Sequence, residues 1–240
     1  MVFENLFTKF VHIYRCMLKT IQSLFSENGN PALAGPMKAY MKNKFEFYGI
    51  KSPDRKEISK HLLKECKTLS KKETIELAKE LWNQPQRELH YLALELLLQN
   101  LKKNISKDDL VWMEWFILKN SWWDTVDFLA PKLVGLYFKK FPEERHEKIK
   151  AWIKSGNIWL IRTGLIFQLK YKKDTDLQLM FDTILQVAHT KEFFINKAIG
   201  WMLRENGKTN PVIIEQFIEK NEHLLSGLSK REGLKGISRN

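Results

Sequence analysis

A repeat of about 35 residues limits the folds open to this chain more than any single motif does. Four stretches superpose on one another: ELHYLALELL, WWDTVDFLAP, IWLIRTGLIF and FFINKAIGWM, with Leu89, Trp123, Trp159 and Phe194 as equivalent points. The intervals between these points are 34, 36 and 35 residues. A unit of that length holds two helices, and such units stack because each antiparallel pair buries its apolar face on the next. The period therefore predicts an all-α solenoid with one long concave surface.

Helical spacing of apolar residues extends along nearly the whole chain, and its first run lies between Phe3 and Leu24. No segment alternates in the manner of a half-buried strand. The runs are separated by short segments that contain proline or glycine and are typical of loops: Asn28-Gly29-Asn30-Pro31, Ser52-Pro53, Gln84-Pro85, Phe141-Pro142, Ser155-Gly156 and Asn210-Pro211. We expect residues 1–240 to form a single helical domain.

The charge balance favours a polyanionic partner. There are 40 Lys and Arg residues against 28 Asp and Glu, which leaves a formal charge of +12. A basic face gains affinity for nucleic acid by displacing counterions from phosphates. A protein that is merely basic is the alternative, and charge alone does not separate the two.

Several function classes lack their motifs. Cys16 and Cys66 have no CxxC spacing and the six histidines form no HExxH pair, so we expect neither a disulfide framework nor a metal site. Nothing matches the glycine-rich loops of nucleotide-binding proteins, and we expect no cofactor. No apolar run approaches the roughly 20 residues that span a bilayer. With no signal peptide in view, we expect a cytoplasmic, nucleoid-associated protein without membrane contact.

The first 16 residues form an N-terminal extension before a second plausible start. Met17 begins the amphipathic segment MLKTIQSLF, so translation could begin there rather than at Met1. The mass of the N-terminal peptide from the native host distinguishes these starts.

A basic stripe interrupts the expected pattern of the helix from Phe194 to Lys208. Lys197, Trp201, Arg204 and Lys208 fall within one arc about 60° wide at 100° per residue. The opposite side is a core face made of Ile195, Ala198, Ile199, Met202 and Leu203. The stripe indicates contacts to the phosphates and sugars of DNA. A solvated tryptophan covered by lysine stems is the alternative.

Two acidic residues follow the tryptophan pair of SWWDTVD. Asp124 lies where helix capping favours an acid. Asp127 lies too deep in the helix for capping, and it shares a face with Trp123, four residues before it. Trp122 is expected to point about 100° away, toward Phe128, Leu129 and Leu136. We interpret Asp127 as a candidate for chemistry.

Arg162 is the one charge in the otherwise apolar segment 158–169. A buried arginine requires an anionic partner because an unpaired charge is costly to desolvate. That partner is a carboxylate such as Asp127 or a phosphate from outside. A purely structural ion pair remains the alternative.

A carboxylate beside tryptophans suits one kind of bond cleavage. Breaking an N-glycosidic bond passes through an oxocarbenium-like sugar. A purine alkylated at N3 or N7 already carries positive charge and leaves as a neutral base, so it needs no general acid. A carboxylate can then stabilise the sugar cation and orient water, while aromatic faces add cation–π attraction. Asp127, Trp123 and Trp201, with Arg162 on a flanking phosphate, meet that requirement.

The sequence resembles the AlkD family of DNA alkylation repair glycosylases, which are built from HEAT-like repeats. The resemblance is carried by PMKAYMKNKFEFYGIKSPDR (36–55), KNSWWDTVD (119–127), SGNIWLIRTGLIFQLKY (155–171) and KEFFINKAIGWMLRENGKTNP (191–211). Weaker similarity extends from about residue 17 to the end, and the first 16 residues lie outside the family pattern.

The resemblance implies roles for individual residues. Asp127 is implied to be the catalytic carboxylate, with Trp123 and Trp201 against the deoxyribose of the lesion. Arg162 is implied to be a partner residue within the site, Arg204 a DNA contact, and Tyr40 a residue near the cleft. The family acts on cationic N3- and N7-alkylpurines in duplex DNA, leaves the base stacked, and uses no metal.

Two other interpretations remain. The chain could be a non-catalytic module that binds damaged or branched DNA, or a solenoid for protein interaction. No lysine beside Asp127 and the two tryptophans suits Schiff-base chemistry, so within the enzyme interpretation we expect a monofunctional glycosylase. We expect a monomer that binds double-stranded DNA.

Overall fold

The computed structural model describes residues 17–237, and these residues form helices joined by short turns. The one bridge of β type in that range joins Glu46 to Gln86. The predicted all-α fold class, with the helical content of a HEAT-like solenoid, is confirmed. The N-terminal extension, the helical pattern before Met17, and Cys16 lie outside the described residues.

The chain divides into two compact units, the first extending to Asn104 and the second beginning at Ile105. The first unit contains α1 (17–27), α2 (Pro31–Tyr40), α3 (Ser52–Glu65), α4 (Lys71–Trp82) and α5 (Arg87–Leu101). The single domain that the sequence predicts for residues 1–240 stays a prediction.

Helices of the first unit begin where polar side chains satisfy their free N–H groups. The Asn30 side chain accepts from Ala32 N at the start of α2. Ser70 and Glu73 form a capping box at the start of α4. α2 also contains Pro36 within its span, a helical proline that the loop signals in the sequence did not include.

The second unit contains the later repeats. Its helices are α6 (Leu110–Leu118), α7 (Trp123–Leu129), α8 (Gly135–Lys140), α9 (Arg145–Lys154), α10 (Ile158–Ile166), α11 (Leu177–Val187), α12 (Phe193–Gly207), α13 (Pro211–Lys220) and α14 (Gly227–Leu234). Three of the four superposed positions, Trp123, Trp159 and Phe194, are the first or second residue of α7, α10 and α12. The repeat therefore marks the N-terminal end of one helix in each of three successive repeats.

The core of the second unit lies between α10, α11, α12 and the last two helices. Its fully buried members include Ile166, Ile184, Ile199, Met202 and Ile214. Burial of such side chains contributes about 1.5–3 kcal/mol each, which fixes the helices that carry the polar residues described below. Among residues 17–237, no helix combines the length and apolar character needed to cross a bilayer.

A π-helical turn, Ala130–Val134, directly follows α7. Pro131 lies in this turn and has no N–H, so it cannot donate the helical hydrogen bond to the carbonyl of Asp127 four residues earlier. The wider turn is closed instead by the N–H of Gly135, which donates to the carbonyl of Ala130. The helix thus changes its geometry immediately after Asp127.

Candidate functional site

Asp127 and Arg162 form a two-point ion pair between α7 and α10. Arg162 Nε donates to Asp127 Oδ1 at 2.7 Å, and Arg162 Nη2 donates to Oδ2 at 2.8 Å. The two residues lie 35 positions apart, which is one repeat. Parallel hydrogen bonds of this kind fix orientation as well as distance. The anionic partner that the sequence requires for Arg162 is therefore the carboxylate of Asp127.

Arg162 also reaches the third helix of the site. Its Nη1 donates to the main-chain carbonyl of Phe194, the second residue of α12. The Arg162 side chain is 3% exposed, so its charge depends on these partners. One guanidinium thus joins α7, α10 and the first turn of α12.

Asp127 is buried but not sealed from solvent. Its side chain retains 16% exposure, whereas that of Arg162 is almost fully enclosed. Burial raises the pKa of the Asp127 carboxyl above its ordinary value, and the guanidinium of Arg162 opposes that rise. Asp124, one turn nearer the N-terminus of α7, adds a smaller upward contribution to the pKa. The carboxylate therefore keeps contact with solvent while it is paired with Arg162.

Trp123 is the first residue of α7, one turn before Asp127, and it is partly buried. Trp122 has an extended backbone, with φ −158° and ψ 164°. The helical angle used to direct Trp122 toward Phe128, Leu129 and Leu136 therefore does not apply to it. Its ring instead packs on Trp159 and Phe194, with centroids 5.6 and 5.2 Å away.

The rings of Trp122, Trp159 and Phe194 form an aromatic cluster, in which Trp159 and Phe194 lie 5.1 Å apart. Each ring comes from the start of a different repeat: just before α7, in α10 and in α12. Aromatic pairs at such distances contribute about 0.5–1.5 kcal/mol each beyond their burial. The cluster links the same three helices that Arg162 joins.

The two faces of α12 differ as the sequence predicts. Ile195, Ala198, Ile199, Met202 and Leu203 are buried. Lys197, Trp201 and Arg204 are partly exposed, and Trp201 also packs against the core of the second unit. Trp201 lies seven residues after Phe194, so the two share one side of the helix and are about 10 Å apart along its axis. The hydrogen bond between Arg162 and the Phe194 carbonyl therefore anchors the N-terminal end of α12, the helix that carries Trp201.

The basic stripe is not uniform. Lys197 and Arg204 both contact Glu232 of α14, at 3.2 and 2.8 Å. Lys208 pairs instead with Glu205 of its own helix, at 2.6 Å. Lys208 thus belongs to the same arc but not to the same ion-pair cluster.

Tyr40 belongs to the first unit and is the last residue of α2. It is 68% exposed. It lines a cavity of about 520 Å³ together with residues of α3 and α5, including Arg55 and Tyr91. Its predicted place near a DNA cleft stays a prediction.

Sequence reasoning missed several parts of the site. The Phe194 carbonyl is a main-chain group, and nothing in a sequence marks it as a ligand for arginine. Glu232 lies 28 residues from Arg204, beyond any helical spacing. Pro131, in contrast, could have indicated the irregular turn after Asp127. Among the described residues, no group of three or more His, Cys, Asp or Glu side chains is arranged to hold a metal ion.

Residues 21–237 of the chain match a family model for DNA alkylation repair enzymes. The chain belongs to the DNA alkylation repair enzyme family. A solved structure described as a predicted DNA alkylation repair enzyme from Enterococcus faecalis is 35% identical to it and superposes with a TM-score of 0.80. That match covers 89% of this chain and 98% of the other. Among curated proteins, no sequence matches significantly.

Membership of the DNA alkylation repair family supports an enzymatic role in the repair of alkylated DNA, with DNA as the substrate. The resemblance stated from the four sequence stretches is thereby confirmed at the level of the family.

Proposed function

We propose that this protein is a DNA glycosylase that hydrolyses the N-glycosidic bond of cationic N3- and N7-alkylated purines in duplex DNA. The observation that carries the proposal is the ion pair of Asp127 with Arg162. A carboxylate that is mostly buried, is held in one orientation and retains access to solvent can act on a positively charged sugar.

The proposed chemistry needs only one carboxylate. The alkylated base departs as a neutral molecule, so its departure requires no proton donor. Positive charge then develops on the deoxyribose, and Asp127 stabilises it in surroundings of low dielectric constant. Each oxygen of Asp127 accepts one hydrogen bond from Arg162 and keeps a further lone pair for the attacking water. Water rather than an amine is the nucleophile, which makes the enzyme monofunctional.

Two indole rings complete the proposed site. Trp123 precedes Asp127 by one helical turn. Trp201 lies on α12, and Arg162 binds a main-chain carbonyl in the first turn of that helix. An indole against a sugar cation contributes about 0.5–2 kcal/mol of attraction, depending on how far water is excluded. We assign Trp123 and Trp201 to the deoxyribose of the lesion.

The proposed partner is double-stranded DNA bound by a monomer through Tyr40, Lys197, Arg204 and Lys208. The contacts are made to the backbone and sugar, so the base can stay stacked during cleavage. Such a protein works on chromosomal DNA, which would place it with the nucleoid in the cytoplasm. The proposal involves no metal or other cofactor.

The direct test is release of free base from a duplex that contains N7-methylguanine. Wild-type protein is expected to release N7-methylguanine above the spontaneous rate, and Asp127→Asn is expected to lose that activity. Asp182→Asn, an exposed acid on α11, is the matched control and should retain it. Equal release by wild type and Asp127→Asn would reject the role proposed for Asp127.

A second candidate is a non-catalytic DNA-binding member of the family. It is favoured by one observation: Arg162 occupies both oxygens of Asp127, as it would in a purely structural pair. This candidate predicts tight binding to damaged duplex without release of base by any variant. The same assay therefore distinguishes the two candidates.

A further inference from the structure

Glu232 forms ion pairs with three basic side chains from two helices. Its Oε1 accepts from Lys235 at 2.7 Å and lies 3.2 Å from Lys197, while its Oε2 accepts from Arg204 at 2.8 Å. The Glu232 side chain is 10% exposed, whereas those of Lys235, Lys197 and Arg204 are 60%, 41% and 32% exposed. The carboxylate lies beneath, and the three cations face solvent above it.

Glycine residues allow the two helices to approach closely enough for this contact. A Cβ built on Gly200 of α12 would lie 2.6 Å from Glu232 Cβ, and one built on Gly233 of α14 would lie 2.9 Å from Leu203 Cβ. Both distances are shorter than real Cβ contacts permit. Ser229 Oγ donates to the carbonyl of Asn196 at 2.9 Å and holds the same crossing. The position of Glu232 is therefore fixed by the packing of backbones.

Two members of the cluster flank the tryptophan of the basic stripe along α12. Lys197 lies four residues before Trp201 and Arg204 three residues after it, so both are neighbours of the indole on the helix surface. Hydrogen bonds from Lys235 and Lys197 lower the pKa of Glu232 to about 2, which keeps it ionised at neutral pH. Three cations and one carboxylate leave two positive charges beside Trp201.

We propose that Glu232 is a positioning residue that prearranges Lys197, Arg204 and Lys235 as a clamp for a backbone phosphate of DNA. Lys235 then becomes a further DNA-binding residue, contributed by the C-cap position of α14. The proposal rests on the assignment of DNA as the partner and on the placement of Trp201 at the lesion. Each ammonium has three donors and the guanidinium has five, so donors remain for a phosphate while Glu232 is bound.

Replacing Glu232 by glutamine is a test, because a positioning role and simple repulsion of DNA predict opposite changes in DNA affinity. The substitution removes one negative charge from a basic face. A carboxylate that merely repels DNA would therefore give tighter binding when it is lost. A positioning residue gives the opposite result, because Lys197 and Arg204 lose their fixed arrangement. We expect Glu232→Gln to weaken binding to undamaged duplex about 5-fold or more, the size expected for a misplaced phosphate contact.

The second variant tests Lys235 directly. Fluorescence anisotropy with an undamaged labelled duplex, measured over a series of salt concentrations, gives both the affinity and its salt dependence. The slope of log affinity against log salt is negative, and Lys235→Ala should make it shallower by about 1, as for one lost phosphate contact. Lys230→Ala is the matched control on the same helix, because Lys230 is paired with Glu222 at 2.9 Å and lies outside the cluster. Its slope should equal that of the wild type.

The possible outcomes separate this inference from the proposed function. A shallower salt dependence of DNA affinity in Lys235→Ala, together with weaker binding by folded Glu232→Gln, supports the clamp. An unchanged slope in Lys235→Ala overturns it, as does tighter binding by Glu232→Gln. If Glu232→Gln fails to fold in a thermal unfolding assay, the Lys235 result decides alone. Undamaged duplex is used throughout, so failure of the clamp leaves base release intact, and failure of base release leaves the clamp measurable.

Discussion

Arg162 binds both carboxylate oxygens of Asp127, at 2.7 and 2.8 Å, across one repeat of the fold. Residues one repeat apart lie on neighbouring helix pairs and can face each other. The ion pair is such a contact. A carboxylate buried without such a partner would lose its charge or destabilise the fold. Arg162 keeps Asp127 both charged and oriented.

Replacing Arg162 by alanine should destabilise the protein and abolish base release. Loss of one partner from a buried pair typically costs about 3–5 kcal/mol, because the other charge is left without compensation. Urea unfolding measures the loss of stability. The double variant Asp127→Asn with Arg162→Ala should lose much less than the sum of the two single losses. Additive losses would show that the two side chains do not stabilise each other.

The rate of base release should fall at acid pH through an elevated pKa. Burial raises the pKa of Asp127 in the folded protein, and the proposed chemistry needs the ionised form. The rate is therefore full above that pKa and declines as pH falls through it, at a higher pH than for an ordinary aspartate. Arg162→Lys, which cannot bind both oxygens, should move the decline to still higher pH. Single-turnover rates, corrected for spontaneous depurination at each pH, give the profile.

Trp201→Ala should reduce the rate of base release by roughly 2- to 30-fold, the range that corresponds to the loss of one cation–π contact. Trp201→Phe retains an aromatic face and should restore part of that loss. Single-turnover rates at saturating protein separate this effect from weaker binding to DNA. If the phenylalanine and alanine variants lose activity equally, an aromatic contribution at this position is excluded.

Gly200→Ala should destabilise the protein by about 1–3 kcal/mol, because the added methyl group has no room between α12 and α14. Gly35→Ala is the matched control within a helix, since nothing lies within 4 Å of a Cβ at that position. The control should be neutral or up to about 1 kcal/mol more stable. Chemical unfolding of both variants measures the difference, and equal stability would contradict the tight crossing of α12 and α14.

Much of the fold was predictable from the sequence. Loop signals such as Asn30-Pro31 and Asn210-Pro211 mark real helix starts, because proline suits the first position of a helix and acts locally; at the first of them the Asn30 side chain also caps the helix. The core face and the basic stripe of α12 follow from helical spacing alone. The partner of Arg162 was narrowed to a carboxylate or a phosphate by the cost of burying a charge, and the structure identifies the carboxylate.

Other features could not be predicted, because they depend on contacts between distant residues or on irregular backbone. Trp122 precedes its helix with extended dihedral angles, so the angle of an ideal helix gave it the wrong direction. The cluster at Glu232 depends on how closely α14 approaches Gly200, which sequence spacing does not reveal. The contact of Arg162 with the Phe194 carbonyl involves a group that every residue possesses.

The most direct measurement is the single-turnover release of N7-methylguanine from duplex DNA by wild-type protein and by Asp127→Asn, with binding to the same duplex measured alongside. We predict release well above the spontaneous rate for the wild type and release at the spontaneous rate for Asp127→Asn, which should still bind DNA. Release at the spontaneous rate by folded, DNA-binding wild-type protein would contradict the proposal that Asp127 and its neighbours cleave the glycosidic bond.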